Sequence, residues 1–197
     1  MSGELPVVLV GGKSLRFGSD KLRAGVDGGW LVDRPIAALR AVYGPRVVLV
    51  GACDAAVAGR ADGVVADAFP GAGPMGGIVS ALRASGGAGI FVLAGDMPGV
   101  TAEDVRAVLA GAVAAPGAWA VLAEAGRLHP CFGVYRAGAL ATLEARLAAG
   151  ERGLTGALPA ERVARVAVAA RAAANVNTPG ELEGWAGAGG EAGGAVR

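Results

Sequence analysis

Between Gly11 and Lys21 the chain reads Gly-Gly-Lys-Ser-Leu-Arg-Phe-Gly-Ser-Asp-Lys, and an apolar run over residues 5–10 leads directly into it. Glycine lets backbone N–H groups approach phosphate oxygens with no Cβ in the way, and the cations of Arg16 and Lys21 can offset charge on those oxygens. A second chemical position is Asp96, which directly follows the apolar run 90–94 and Gly95 and precedes Met97 and the rigid Pro98. A carboxylate so placed can fix a hard cation such as Mg²⁺ against phosphates. Each feature has a plain structural alternative. Asp96 could cap the helix beginning near Thr101 or pair with Arg16, and the two cations could form a solvated surface pair.

Such residues need elements to hold them. Strand-like runs over 5–10, 46–50, 63–66, 90–94, 119–123 and 163–169 alternate with Ala/Leu/Arg stretches that predict helices over 33–42, 75–84, 101–112, 137–148 and 179–185. The runs 46–50 and 90–94 are apolar at nearly every position, as parallel strands covered on both faces require. The fold expected is α/β, a three-layer α/β/α sandwich with a mostly parallel central sheet. Thr101 and Asp104 have capping-box spacing, and Asp27-Gly28-Gly29 between Val26 and Trp30 predicts a small hairpin. A single domain over 1–186 and a disordered Gly/Ala-rich tail over 187–197 complete the expected layout. In an open parallel sheet, ligands bind beyond the carboxyl ends of the strands, where strand order reverses. The polar groups expected there are the Gly11–Lys21 loop, Gly51-Ala52-Cys53-Asp54, Asp67 and Asp96.

Composition narrows the chemistry. With 18 Lys and Arg against 17 Asp and Glu, net charge is +1, which provides no broad footprint for nucleic acid or an anionic membrane. The apolar runs are too short for a bilayer span, and no signal-peptide pattern opens the chain, so a soluble, cytoplasmic protein is expected. Cys53, Cys131 and His129 supply neither a redox pair nor a zinc cluster. Carboxylates and amides are left as metal ligands, which favours Mg²⁺.

Familiar fingerprints fit poorly. Gly12-Lys13-Ser14 resembles the end of a Walker P-loop, but Val7 stands where its first glycine belongs. Gly71 to Gly76 satisfies G-x-G-x-x-G and has Asp96 about twenty residues on, yet it begins several residues past the strand end, and Pro74 removes an N–H from the would-be cradle. No nucleophile stands at recognisable spacing from His129.

Taken in order, Leu9-Val10-Gly11-Gly12, Arg16-Phe17-Gly18, Asp20-Lys21, Gly73-Pro74-Met75-Gly76-Gly77, Gly95-Asp96-Met97-Pro98, His129-Pro130 and Asn175-Val176-Asn177-Thr178-Pro179 resemble the molybdenum cofactor guanylyltransferases over nearly the whole chain. The resemblance implies a Rossmann-like nucleotidyltransferase fold and Mg²⁺-dependent transfer of GMP from GTP to molybdenum-bearing molybdopterin, with release of pyrophosphate. It implies catalytic roles for Arg16, Lys21 and Asp96, and nucleotide contacts for Leu9, Val10, Gly11, Gly12, Lys21, Asp67 and Asp96. Metal ligation falls to Asp96 and Asn177, and the acceptor side to His129, Pro130, Asn175 and Asn177, with the turn 150–153 nearby. Partners implied are GTP, molybdopterin and, transiently, proteins that deliver and receive the cofactor.

Two departures stand out. Gly51-Ala52-Cys53 lacks the asparagine with which the family reads guanine, so CTP or another phosphorylated acceptor is the alternative, as is a non-catalytic nucleotide-binding homologue. Gly99 stands where a larger residue is common. For His129, beside Pro130 in what reads as a half-buried strand, packing is the alternative to acceptor contact.

Overall fold

The computed structural model describes residues 3–11 and 21–188. A seven-stranded sheet is built from β1 (Leu5–Leu9), β4 (Val48–Val50), β5 (Val64–Val65), β6 (Ile90–Ala94), β7 (Ala120–Ala125), β8 (Arg127–Tyr135) and β9 (Val163–Ala167), in the order β5-β4-β1-β6-β8-β7-β9. β8 runs antiparallel to both its neighbours, while β5, β4, β1 and β6 pair in parallel, as do β7 and β9. The two-residue strands β2 (Gly25–Val26) and β3 (Gly29–Trp30) form the separate hairpin. Its turn is Asp27-Gly28, both at positive φ as a type I′ turn requires, so Gly29 belongs to the strand.

Strand alternation divides the core. Val8, Phe91, Leu93, Val121 and Phe132 meet α1 (Asp33–Tyr43) and α4 (Ala102–Ala114) on one face. Val7, Ile90, Val92, Leu122 and Tyr135 meet α3 (Pro74–Ala84) and α5 (Leu140–Ala148) on the other. Helices therefore cover both faces, and the three-layer expectation holds. The short α2 (Ala55–Ala58), capped by Asp54, is an element the sequence pattern did not reveal. α6 (Pro179–Ala188) runs past the expected tail boundary at 187. Among the described residues, no helix is long and apolar enough to cross a membrane.

β8 is the main addition to the expected layout. Its apolar pattern is interrupted by His129, Pro130 and Gly133, and Pro is a poor residue for a central strand. The pairing explains its tolerance. β7 matches Leu122 with Gly133 and then Ala123 with His129, so Pro130 sits in a bulge of β8, where that ladder requires no N–H from it.

Arg136, which follows β8, holds the far end of α4. Its guanidinium donates to the carbonyls of Ala112 (2.6 Å), Ala115 and Ala118 (both 2.7 Å) and Pro116 (3.1 Å). These oxygens end or follow the helix, where partial negative charge accumulates. Arg136→Ala is expected to cost about 2–4 kcal/mol, because carbonyls that have a charged donor would lose it. Urea unfolding checks this, and a loss below about 0.5 kcal/mol, the level of a neutral surface change, would contradict it.

Candidate active site

The chain leaves β1, fills one side of the sheet with β4 and β5, and returns to the other side as β6. Strand order reverses between β1 and β6, so the segments following these two strands diverge around a crevice. Lys21, at the far end of the segment after β1, and Asp96, just after β6, meet there with Lys21 Nζ 2.6 Å from Asp96 Oδ2. Their side chains are only 14% and 19% exposed, so the pair is largely shielded from water. The same ammonium lies 3.3 Å from Asn177 Oδ1, and Asn175 Nδ2 donates to Asp96 Oδ1 at 2.5 Å. Both carboxylate oxygens are thus engaged, one by a cation and one by an amide.

Local structure explains how these groups converge. Lys21 opens a 3-10 turn whose Leu22 packs against the core, and a Cβ on Gly95 would come within 3.0 Å of Leu22 Cδ2. Gly95 therefore lets the turn settle directly beside Asp96. Val26 and Leu31, from the hairpin region, form a small apolar cluster with Val176, flanked by Leu182 and Trp185 of α6. Val176 points into that cluster and its N–H donates to the Asp96 carbonyl at 3.0 Å, while the residues either side of it turn their amides toward Asp96 and Lys21. Beyond them Thr178 Oγ1 accepts from the Glu181 N–H, Pro179 occupies the first turn, and Glu181 Oε2 accepts from the Asn177 N–H at 2.6 Å. This cap fixes the backbone of Asn177. The cap alternative for Asp96 fails, since Thr101 and Asp104 cap α4 reciprocally.

Other expected residues are placed less centrally. Leu9 ends β1 with its Cδ2 against Gly77, where a Cβ would lie at 3.0 Å. Val10 is buried and Gly11 adopts φ +112° beside Ala52. Gly12 and Arg16 lie outside the described residues. Asp67, beyond the edge strand β5, is not joined to the Lys21–Asp96 cluster by the hydrogen bonds seen. Its Oδ1 accepts from the Phe69 N–H at 2.8 Å and from the Ser80 hydroxyl at 3.4 Å, an arrangement that shapes the approach to α3. In the 150–153 turn Arg152 donates to the carbonyls of Leu147 and Glu151, while Glu151 pairs with Arg146. Gly99 has an explanation: a Cβ there would collide with the Trp185 ring and the Arg171 carbonyl.

β8 brings further groups to this edge. Phe132 pairs with Leu93 and the strands run oppositely, so Cys131 comes level with the end of β6 and residues 127–130 extend past it. His129 and Pro130 lie there, with the Pro130 carbonyl accepting from Tyr135 Oη at 2.8 Å. Cys131, which sequence reasoning assigned no role, is close enough to feel Asp96. Burial and then the Asp96 charge push its thiol up to about 12, so it is an unreactive neutral wall.

His129 is held below its ordinary value, first by burial and then by the Arg127 charge, against a hydrogen bond to the Ala125 backbone. Its Nε2 is shielded and has no hydrogen-bond partner among the described residues. The neutral imidazole is therefore favoured by folding. A depressed native value means that the unfolded chain takes up a proton first, so this contribution is complete above about pH 6.5 and declines as pH falls below it. His129→Gln is expected to flatten the fall of stability between about pH 6.5 and 5. Parallel melting curves for variant and wild type over that range would contradict the assignment.

Comparison with known proteins agrees with the geometry. Residues 6–168 match the family described as the MobA-like NTP transferase domain. A probable molybdenum cofactor guanylyltransferase of Opitutus terrae is 39% identical over 153 residues, covering 75% of this chain and 73% of that protein. One from Chloroflexus aggregans is 34% identical over 203 residues, covering 93% and 92%. The crystal structure of molybdopterin-guanine dinucleotide biosynthesis protein A from Archaeoglobus fulgidus superposes with a TM-score of 0.73 at 25% identity, over 93% of this chain and 97% of that one. With a reversed-order sheet, a cation–carboxylate pair at its switch point and relatives matching over most of their length, this chain belongs to the MobA-like NTP transferases, a family of nucleotidyltransferases.

Proposed function

We propose that this chain transfers GMP from GTP to the terminal phosphate of molybdenum-bearing molybdopterin and releases pyrophosphate, in the cytoplasm. The observation that carries the reading is the convergence of Lys21, Asp96, Asn175 and Asn177 at the β1/β6 switch point. The names of the relatives support the substrates, since those proteins are called molybdenum cofactor guanylyltransferases.

The residues fit a divalent cation. Asp96 Oδ2 and Asn177 Oδ1 already converge on one positive charge, the Lys21 ammonium, and both are hard oxygen donors. Asp96 and Asn177 would hold Mg²⁺, which when bound neutralises charge on the phosphates. The remaining work falls to the chain itself. An acceptor phosphate monoester is ionised at neutral pH, so one of its oxygens can attack the α-phosphorus with no general base. As that bond forms, the bond from the α-phosphorus to the bridging oxygen breaks, and pyrophosphate departs with its electron pair. Lys21 offsets the charge developing on it, with Arg16 assigned the same task. Asn175 orients the Asp96 carboxylate, and the shielded crevice strengthens each interaction. His129, Pro130 and the neutral Cys131 bound the side on which we place the acceptor, and Leu9, Val10 and Gly11 floor the nucleotide side, with Gly12 and Asp67 as further contacts.

One observation favours a second nucleotide. After β4 no side-chain amide is available at 51–53 to read guanine, which leaves CTP as the competing donor. Pyrophosphate release measured with each of the four NTPs, with and without molybdenum-loaded molybdopterin, tests both. Release that requires GTP and the acceptor supports the proposal, release with CTP moves the chain to cytidylyl transfer, and silence with every nucleotide overturns transferase activity on this acceptor.

A further inference from the structure

We propose that Lys21 acts as a gate on the metal seat: its ammonium excludes a divalent cation from Asp96 and Asn177 until a nucleoside triphosphate draws it away, so metal and nucleotide enter together. This rests on the assignment of Asp96 and Asn177 as the metal seat. Lys21 Nζ stands 2.6 Å from Asp96 Oδ2 and 3.3 Å from Asn177 Oδ1, so it occupies the position between the two oxygens that a metal would use. The other carboxylate oxygen accepts from Asn175 Nδ2 at 2.5 Å, which orients the carboxylate so that Oδ2 faces the ammonium. A divalent ion and an ammonium repel strongly in a crevice where both side chains are below 20% exposed, because little water screens them.

The seat is also poor in charge. Among the described residues no three His, Cys, Asp or Glu side chains are grouped to hold a metal, and Asp96 is the carboxylate we assign to the seat. Mg²⁺ in such sites completes its shell with substrate phosphates and water. A triphosphate supplies both missing parts at once, oxygen ligands for the metal and an anionic partner to which Lys21 can swing. Lys21 is suited to this exchange because its ammonium is a point charge on a flexible stem that can change partners without reorienting a planar fork. The gate and the phosphate-binding cation are then the same side chain in two positions. Coupling of this kind is reciprocal, so metal must tighten nucleotide by the factor by which nucleotide tightens metal.

Mn²⁺ is the probe, with the free-ion signal followed by electron paramagnetic resonance. Wild-type protein is expected to bind Mn²⁺ alone at least about tenfold more weakly than Lys21→Met, which keeps the stem and removes the charge. Lys21→Arg retains the charge and should exclude Mn²⁺ as wild type does. Adding α,β-methylene GTP should tighten Mn²⁺ on wild type by about tenfold or more and on Lys21→Met by clearly less, because there the gate is already open. Asp96→Asn combined with Lys21→Met should abolish the gain. Equal Mn²⁺ affinity in wild type and Lys21→Met would overturn the proposal, as would equally tight Mn²⁺ on wild type with and without nucleotide. The metal-alone comparison involves neither GTP nor pterin, so an error in the proposed donor or acceptor appears in the pyrophosphate assay and leaves this result unaffected.

Discussion

Asp96→Asn is expected to lower kcat by about a thousandfold or more while the protein stays folded. The loss follows from the role we propose for the carboxylate: among the described residues it is the charged oxygen donor assigned to the seat, and it counters the Lys21 ammonium at 2.6 Å. Removing a group of this kind, on which charge stabilisation in the transition state depends, reduces rates by orders of magnitude. Asn keeps the shape: its Oδ1 can still accept from Lys21, and its Nδ2 can donate to Asn175 once that amide turns its Oδ1 toward it, so packing is preserved. The ammonium loses its counter-charge in a partly shielded crevice, yet it retains Asn177 Oδ1, and the melting temperature should fall by less than about 5 °C. Steady-state pyrophosphate release with calorimetry separates the two effects. A variant that keeps more than a tenth of wild-type turnover would remove Asp96 from the chemistry, and one that unfolds would show its role to be structural.

Gly51→Ala should destabilise the fold by about 3 kcal/mol or more, the largest stability effect expected of a single methyl group here. Gly51 follows β4 with φ +117°, and a Cβ there would be driven into the carbonyl oxygen of Val10, well inside contact distance. That carbonyl belongs to the segment leaving β1, whose Val10 N–H donates to the Val50 carbonyl at 2.9 Å, while the Gly51 N–H donates to the Val65 carbonyl at 3.1 Å. The change therefore strikes three strand ends together, and the nucleotide side with them. Chemical denaturation measures it, and a loss below 1 kcal/mol would show that the loops move apart easily. The same geometry limits where a base-reading amide could be restored. Position 51 cannot carry a side chain, whereas Ala52 is exposed, so Ala52→Asn should fold with stability within about 0.5 kcal/mol of wild type.

Much of the candidate site is legible in the sequence. The apolar runs fixed the order of the strands along the chain, and the rule that ligands bind where strand order reverses brought forward the segments after 5–10 and after 90–94. What the pattern could not show was pairing in space. Lys21 reads naturally as a phosphate cation beside Arg16, and nothing in its spacing reveals that it meets Asp96, 75 residues away. Asn175 and Asn177 entered only through the family resemblance, because two amides around a valine carry no chemistry of their own until Val176 is buried and turns both toward the crevice. His129 and Pro130 read as part of a strand, but Pro130, which a central strand tolerates only at a bulge, kept β8 out of the expected series of sheet strands, and with it the placement of Cys131. Gly99 looked like an unexplained departure until the Trp185 ring was seen to fill the space a side chain would need. Arg136 gave no signal either, since its partners are backbone carbonyls that no residue type announces.

In the proposed reaction the α-phosphorus of GTP passes to the pterin phosphate. Its most direct test is to supply GTP labelled at the α-phosphorus, and in a parallel reaction at the γ-phosphorus, to the purified chain with Mg²⁺ and molybdenum-loaded molybdopterin, and to separate the products. α-Label is expected in a pterin–guanine dinucleotide and γ-label in pyrophosphate, in equal amounts. α-Label in free GMP or γ-label in inorganic phosphate would show hydrolysis in place of transfer and contradict it.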